Sequence, residues 1–285
     1  TADITTVVAT DVDAGATQTY SVSGTDAAQF AIDSSTGVLA FNASPDFETP
    51  LDADGNNIYI ITVGVTDGAL TDSQDITITV TDQDEPPVIT SNDGGDTAAI
   101  DYAENETAEL TTVTATDQDA GATQTYSVSG TDAAQFTIDS STGVLTFSAS
   151  PDFETPLDAD ADNDYVVVVE VSDGALSDTQ EITVSVTDVN EAPEITSNDG
   201  GDTAAIDYAE NDTADITTVV ATDVDAGATQ TYSVSGADAA QFTIDSSTGV
   251  LAFNASPDFE NPTDADGNNI YIITVGVTDG ALTDS

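Results

Sequence analysis

The sequence predicts an all-β chain of antiparallel β-sandwiches joined end to end, and three observations carry that prediction. First, a unit of 106 residues runs through the chain nearly three times. Thr1, Thr107 and Thr213 open matching segments, and residues 1–73 and 213–285 differ only at positions 25, 31, 49 and 51 of the first copy. A fixed period of that length marks an array of structural units, each of ordinary domain size. Second, β-branched and aromatic residues alternate with polar ones at a period of two. Third, Gly, Asp, Ser and Pro punctuate these runs, and no segment has the spacing of an amphipathic helix.

The middle copy carries every element. Val113 and Ala115 alternate with Thr112, Thr114 and Thr116, and Tyr126 and Val128 flank Ser127. Gly130 to Gln135 predicts one short helical turn. Phe136 and Ile138 make a short strand, and the turn Ser141-Thr142-Gly143 leads into Val144, Leu145 and Phe147. Tyr165, Val167, Val169 and Val171 share one face of a longer strand. Ile182, Val184 and Val186 form the last, with Thr183 and Ser185 facing outward. About seven half-buried strands per unit predict a two-sheet sandwich.

Unit edges fall at prolines. Val80-Thr81-Asp82-Gln83-Asp84-Glu85-Pro86-Pro87 closes the first unit, and Val186-Thr187-Asp188-Val189-Asn190-Glu191-Ala192-Pro193 closes the second. The expected domains are therefore residues 1–86, 87–192 and 193–285. The first lacks its opening strand and the third its closing strand, so the chain reads as a piece of a longer array. Proline fixes φ and restricts the residue before it, so these short acidic linkers are stiff.

Composition narrows the function. The chain has 54 Asp and Glu, no Lys, Arg, His, Cys, Met or Trp, and a formal net charge of −54. No side-chain salt bridge can form. Nucleic acid is excluded as a partner, because phosphate binding needs Lys or Arg. An anionic membrane would repel the chain, and no apolar run is long enough to span one. The sequence, which begins and ends in mid-repeat, shows no signal peptide, and its targeting signals are expected elsewhere in the longer array. Self-repulsion works against the compact state, and only cations from solution can offset it. Hydrophobic residues make up 39% of the chain, which argues against a disordered acidic tail. Without cysteine there are no disulfides, and metal ions are the expected staples.

The acidic residues recur in register, and here the sequence resembles a known family. Asp188-Val189-Asn190-Glu191-Ala192-Pro193 resembles the cadherin interdomain linker, Asp-x-Asn-Asp/Glu-x-Pro. Glu104, in Tyr-Ala-Glu-Asn, is similar to that family's early glutamate. Asp152-Phe153-Glu154 resembles its central Asp-x-Glu, and Asp117-Gln118-Asp119 its Asp-x-Asp after the second strand. Asp173, in Val-Ser-Asp-Gly, resembles its late aspartate, and the segment from Phe136 to Thr146 is close to its core pattern. The resemblance covers the whole chain and implies tandem cadherin-like (Ig-like) antiparallel β-sandwiches. It also implies Ca2+, typically about three ions per junction between domains.

Carried over residue by residue, the resemblance implies that the complete junction uses Glu104, Asp152, Glu154, Asp188, Asn190, Glu191, Asp223, Asp225 and Asp279. The earlier junction would use Asp46, Glu48, Asp82, Asp84, Glu85, Asp117, Asp119 and Asp173, with its early glutamate lying before residue 1. Its linker departs from the pattern, with Asp84 where Asn is usual and Pro86 added. Half-sites remain at the ends: Asp11, Asp13 and Asp67 upstream, and Glu210, Asp258 and Glu260 downstream. Independent chemistry points the same way. Calcium takes six to eight hard oxygen ligands, and a chain without His or Cys offers nothing to zinc, copper or iron. Two like charges about 4 Å apart cost roughly 1 kcal/mol in water and about 4 kcal/mol at an effective dielectric near 20. A junction of carboxylates is expected to splay without metal and lock with it.

Weaker signals have plainer readings. Asp52-Ala53-Asp54-Gly55-Asn56-Asn57 and its repeats at 158–163 and 264–269 resemble the start of a calcium loop. Val63 stands where an EF-hand needs Glu, so the segment reads as a solvated hairpin loop, with a weak extra calcium site as the alternative. Asn92-Asp93-Gly94-Gly95 and its repeat read as turns. Asn42, Asn105, Asn211 and Asn254 begin Asn-x-Ser/Thr sequons but read as unmodified loop residues. Catalysis is not expected: the acids cluster at junctions instead of flanking a cleft, and no nucleophile–base motif is present.

The sequence thus predicts a calcium-stiffened, extracellular repeat region of a large bacterial cell-surface adhesin or matrix protein. Its partners would be calcium and its own neighbouring repeats. Near-identical copies favour a spacer that projects a distant tip. The alternatives are a self-assembling extracellular or biofilm fibre, in which copies of the chain pack together, and an array of carbohydrate-binding modules. The latter usually display aromatics, whereas most Tyr and Phe here fall on core faces. Strand-exchange adhesion of the kind anchored by tryptophan in some cadherins is disfavoured, because tryptophan is absent. One consequence is simple to check by gel: trypsin, which cuts after Lys and Arg, leaves the folded or denatured chain intact.

Overall fold

The computed structural model describes residues 2–13 and 15–285. The first repeat contains β1 (Asp3–Thr6), β2 (Thr19–Ser23), β3 (Phe30–Ile32), β4 (Val38–Phe41), β5 (Ile58–Thr66) and β6 (Thr71–Thr79). The middle repeat contains β7 (Val88–Ile89), β8 (Thr97–Ala103), β9 (Thr111–Thr112), β10 (Ala115–Thr116), β11 (Thr125–Ser129), β12 (Phe136–Ile138), β13 (Val144–Phe147), β14 (Asp164–Ser172) and β15 (Ser177–Thr187). The third contains β16 (Glu194–Ile195), β17 (Thr217–Thr218), β18 (Ala221–Thr222), β19 (Thr231–Ser235), β20 (Phe242–Ile244), β21 (Val250–Phe253), β22 (Thr274–Thr278) and β23 (Thr283–Asp284). The described residues contain no α-helix, only short 3-10 turns such as Ala133–Gln135. The fold is all-β, with several sheets per repeat.

In the middle repeat one sheet runs β11-β14-β15-β8 and the facing sheet β12-β13-β9, with β10 paired to β7. The alternation read from sequence sets the faces. Tyr165, Val167, Val169 and Val171 of β14 and Ile182, Val184 and Val186 of β15 point into one core with Val113, Phe136 and Leu145. Phe147 stacks on Phe136 at 4.7 Å and meets Tyr165 edge-on at 5.2 Å. Adjacent residues of the two sheets thereby bury one continuous apolar layer.

Two features depart from a purely antiparallel reading with unbroken strands. β15 pairs in parallel with β8, from Glu181 opposite Thr97 to Thr187 opposite Ala103. This is possible because the chain crosses the whole sandwich between them. The strand expected around Val113 is split into β9, which pairs with β13, and β10, which pairs with β7; Val113 lies where the partner changes, its N–H bonding to Gly143 O at 2.9 Å. Gly143 accommodates this approach: its φ is +72°, and a Cβ there would lie 2.1 Å from Val113 O. Only glycine tolerates both.

A buried carboxylate clasps each repeat. Asp132 is 5% exposed, and its oxygens accept Ala159 N–H at 2.9 Å and Val166 N–H at 2.8 Å. Asp26 and Asp238 do the same in their repeats. Anionic acceptors paired to backbone N–H groups satisfy burial without any cationic side chain.

The repeats are not equally complete. Among the described residues the sheet of the first is β2-β5-β6 and that of the third β19-β22-β23, each without a counterpart of β8. Ile58, Ile60, Ile270, Ile272 and Phe259 are exposed in these repeats, the four isoleucines at the positions of Asp164 and Val166, which alternate with the buried Tyr165 and Val167 of β14. Phe259 departs from the expectation that aromatics face the core, whereas its counterpart Phe153 packs against the middle core.

Chemical denaturation checks the packing. Leu145→Ala, at a wholly buried position, is expected to cost the middle repeat about 2–5 kcal/mol. Gly143→Ala is expected to cost more than about 1 kcal/mol through backbone strain.

Candidate metal centres at the repeat junctions

The site is built on backbone elements that the sandwich already fixes. Glu104 follows β8, and its main-chain N–H bonds to Thr187 O at 3.1 Å. Its side chain is 2% exposed. One oxygen accepts Val189 N–H from the linker at 2.8 Å, and the other accepts Phe153 N–H at 2.8 Å. Glu104 therefore ties the linker to the Asp152-Phe153-Glu154 turn. Carboxylate oxygens of Glu104, Glu154, Asp188 and Glu191 then lie within 4.8 Å of one another.

The linker also reaches the third repeat. Glu191 N–H donates to Asp225 Oδ2 at 2.9 Å, and Asn190 Nδ2 donates to Asp279 Oδ2 at 2.7 Å. Asp225 N–H in turn bonds to Asp223 Oδ1 at 3.1 Å. Asp152 is not among the four acids that gather; its Oδ1 accepts Thr155 N–H at 2.8 Å within its own turn. Asn105, read from sequence only as a sequon, donates its side-chain amide to Glu191 Oε1; its place directly after Glu104 is the one signal that could have flagged it.

The earlier junction repeats the pattern. Oxygens of Glu48, Asp82, Glu85 and Asp119 gather within 4.8 Å, and Glu85 N–H donates to Asp119 Oδ2 at 2.9 Å. Asp119 N–H bonds to Asp117 Oδ1 at 2.9 Å. Asp46 accepts Glu48 and Thr49 N–H groups at 3.0 Å each, and Asp173 accepts Ala175 and Leu176 at 2.6 and 2.8 Å. At Asp84 the sequence difference matters. Where Asn190 donates to Asp279, Asp84 faces Asp173 as a like charge.

The distal groups are looser. Glu210, Asp258 and Glu260 gather, all exposed, with Phe259 N–H on Glu210 Oε2 at 3.0 Å. Among the described residues, Asp11, Asp13 and Asp67 do not gather into such a group, although Asp13 N–H bonds to Asp11 at 2.8 Å and Asp67 accepts Ala69 and Leu70. The loop read as a solvated hairpin brings Asp158, Asp160 and Asp162 together. Both Asp158 oxygens are already engaged there by the N–H groups of Asp162 and Asn163.

Two kinds of carboxylate result. Asp173, Asp67 and Asp46 are held below the usual carboxylate range by hydrogen bonds from their own turns. Asp279 is held low too, by Ala281 N–H and then by the Asn190 amide. The residues that face other acids are pushed up. Burial and then the charges of Glu104, Asp225 and Glu154 raise Glu191 to about 7. Burial and then Asp225 and Glu104 raise Asp188, and burial followed by Asp173 raises Asp84. Burial chiefly raises Glu154, Glu85 and Glu48.

A hard divalent cation fits this donor set. Glu191 Oε2, Asp223 Oδ2 and Asp225 Oδ1 at one junction are buried without a hydrogen-bond partner, as are Glu85 Oε2, Asp117 Oδ2 and Asp173 Oδ2 at the other. Buried anionic oxygens of that kind normally have a donor or a metal. The chain contains no Lys, Arg or His to supply one, and carboxylate and amide oxygens are calcium ligands.

Comparison with known proteins agrees with the fold. The cadherin-domain family model matches residues 98–187. Human Protocadherin Fat 1 is 31% identical over 288 aligned residues, which take in 96% of this chain and 6% of that protein; the chain thus spans a small fraction of that relative's length. Among solved structures, mouse Cadherin-23 EC22-24 superposes with a TM-score of 0.53 at 22% identity, covering 99% of this chain and 89% of the other. Human CDH23 EC21-23 gives 0.58 at 18% identity, covering 95% and 88%. Residues 98–187 thus match the cadherin domain itself, and the chain as a whole has the fold of tandem cadherin-like domains. Such domains are extracellular, serve adhesion as structural units and as a class bind calcium; the acidic groups that class requires are present here.

The raised Glu191 pKa has a definite sign. Between its unfolded value near 4.5 and about 7, the metal-free folded state holds more proton than the unfolded state. Metal-free stability therefore falls as pH rises through that window. A calcium ion held by Glu191 would compete with the same proton. Calcium titration near pH 6 is expected to release protons, and affinity to fall as pH drops from 7 to 5, both readable by calorimetry in buffers of different ionisation enthalpy.

Proposed function

We propose that this chain is a calcium-rigidified stalk region of a large bacterial-type extracellular adhesin or matrix protein, with repeats at residues 1–86, 87–192 and 193–285. The observation that carries the proposal is the set of unpartnered, buried carboxylate oxygens concentrated at the two junctions, in a chain without one cationic side chain. About three calcium ions per junction, as in the family pattern, would neutralise most of the eight carboxylates assigned to each. Glu104, Asp152, Glu154, Asp188, Asn190, Glu191, Asp223, Asp225 and Asp279 are the proposed ligands of the second junction. Asp46, Glu48, Asp82, Asp84, Glu85, Asp117, Asp119 and Asp173 are those of the first.

The mechanism is mechanical. Linker groups already bond to both neighbours, and a shared ion converts those contacts into a joint that resists bending, because its binding energy would be lost on opening. The strands β14 and β15, of 9 and 11 residues, make each sandwich about 30–37 Å long. A stack of such units projects whatever lies at its end. Near-identity of the repeats suits a spacer, whose units need only length and stiffness.

Small-angle X-ray scattering in millimolar calcium and then in excess chelator tests this. The expected outcome is a longer, narrower distance distribution in calcium that broadens on chelation. Glu191→Gln with Asp225→Asn should soften the second junction even in calcium. An identical profile with and without calcium would sink the proposal and leave the acids as surface charge.

A further inference from the structure

Every side-chain nitrogen in this chain belongs to Asn or Gln, so only a neutral amide can hold a junction acid from the side. At the second junction two amides bracket Glu191. Asn190 Nδ2 donates to Glu191 O at 3.0 Å and to Asp279 Oδ2 at 2.7 Å, on the side of the following repeat. Asn105 Nδ2 donates to Glu191 Oε1 from the leading repeat. Asn190 is one of the proposed ligands. Asn105 is not, and nothing in its sequon explains why its amide faces a buried acid instead of water.

The backbone explains how Asn105 reaches the linker. Along a strand, consecutive side chains point to opposite faces. Here β8 ends at Ala103, and Asn105 has φ +63°. That left-handed turn lets two consecutive residues grip the linker together: Glu104 accepts Val189 N–H at 2.8 Å, and Asn105 donates to Glu191 two residues on. Asn105 N–H bonds to Pro151 O at 3.0 Å, which fixes the turn against the segment carrying Asp152 and Glu154. Asn211 has φ +60° and bonds in the same way to Pro257 O at 2.9 Å, so the turn recurs with the Glu-Asn pair. Asparagine meets both demands of this position. Glycine takes a positive φ but carries no donor, aspartate takes it but brings a like charge, and β-branched residues rarely adopt it.

Glu191 is thereby held from both repeats. Its N–H donates to Asp225 Oδ2 at 2.9 Å in the following repeat, its Oε1 accepts Asn105 of the leading repeat, and its Oε2 is buried with no hydrogen-bond partner. A glutamate side chain loses much rotational freedom when it is fixed. Here it is already fixed in the metal-free chain, with an oxygen within 4.8 Å of oxygens of Glu104, Glu154 and Asp188. Ordering a ligand in advance removes that cost from binding. The donor is also neutral. A lysine in its place would hold Glu191 equally well but would cancel the charge a cation needs, whereas an amide orients the carboxylate through a charge-assisted bond and leaves its charge intact.

We propose that Asn105 is a positioning residue of the second junction: it ties one oxygen of Glu191 to the leading repeat and leaves the other open to a divalent cation. The proposal rests on the calcium reading above and deepens it, because it adds to the ligands a residue that sets one of them in place. Partners that orient a metal-binding carboxylate without touching the metal commonly govern affinity, by about 10–100-fold. It also gives the linker a defined owner. With Glu104 on Val189 and Asn105 on Glu191, the linker belongs to the leading repeat before any ion binds, and the ion then has only the following repeat to recruit.

Calcium titration of the intact chain, followed by 15N–1H NMR and started in chelator, tests this. The backbone amides of Glu191 and Glu85 report the second and first junctions separately. Asn105→Gly keeps the positive φ and removes the donor. It should leave signals away from the second junction in place, weaken calcium binding read at Glu191 by about 10-fold or more, and leave the titration read at Glu85 unchanged. Asn105→Asp keeps the size and the φ but turns an anion toward Glu191. In chelator it should displace the Val189 and Glu191 amide signals, which a merely space-filling residue at 105 would leave where they are. Equal calcium affinity at Glu191 in the wild type and in Asn105→Gly overturns the proposal and leaves the calcium reading standing. So does a loss of affinity that is the same at both junctions, or an Asn105→Asp spectrum that matches the wild type in chelator. A wild-type chain whose signals at both junctions ignore millimolar calcium sinks the calcium reading, and this proposal with it.

Discussion

Negative charge without any opposing side chain is the constraint on which the rest of this structure depends. Most proteins bury a carboxylate beside Arg or Lys; this chain has neither. Each buried acid must therefore find backbone N–H groups or a cation. Asp132 takes the first route, with two main-chain donors on separate elements, and becomes a clasp internal to its repeat. The junction acids take it only in part. Glu104 is satisfied by Val189 and Phe153, while Glu191, Asp223 and Asp225 each keep an oxygen with no partner. The division between closed and open carboxylates separates the acids that hold a domain together from those available to join two domains.

The same division orders the electrostatics. Turn N–H groups keep Asp173 and Asp279 anionic, so these residues enter a site already charged. Burial against other acids raises Glu191 and Asp188, so the centre of the junction holds proton when it lacks metal. The joint thus combines acids already charged at its rim with a centre of opposed acids, and a divalent ion bound there would relieve the centre without rebuilding the rim. The first junction carries more strain, because Asp84 opposes Asp173 where Asn190 donates to Asp279.

Repetition has a second consequence. When the repeats are nearly identical, any strand of one fits the matching edge of another, since main-chain hydrogen bonds and period-two side chains are the same. Divergent repeats would resist such exchange by mismatched side chains. Here the segment 97–103 and the segment 203–209 are the same seven residues, so side-chain differences alone do not assign either segment to its own repeat.

Much of this protein is legible in the sequence. The period of 106 residues, the strand faces of Tyr165 to Val171 and Ile182 to Val186, and the register of the acidic motifs depend on spacing along the chain. Spacing fixes which side of a strand a residue occupies, and strand polarity does the rest. The tertiary structure decided what lies between distant segments. The parallel pairing of β8 with β15, the two N–H groups on Asp132, the Asn105 contact to Glu191, and which carboxylate oxygens remain unpartnered all join residues far apart in sequence. No local pattern encodes such contacts. They follow from how two sheets pack, and only packing determines whether an acid meets an amide, another acid or nothing.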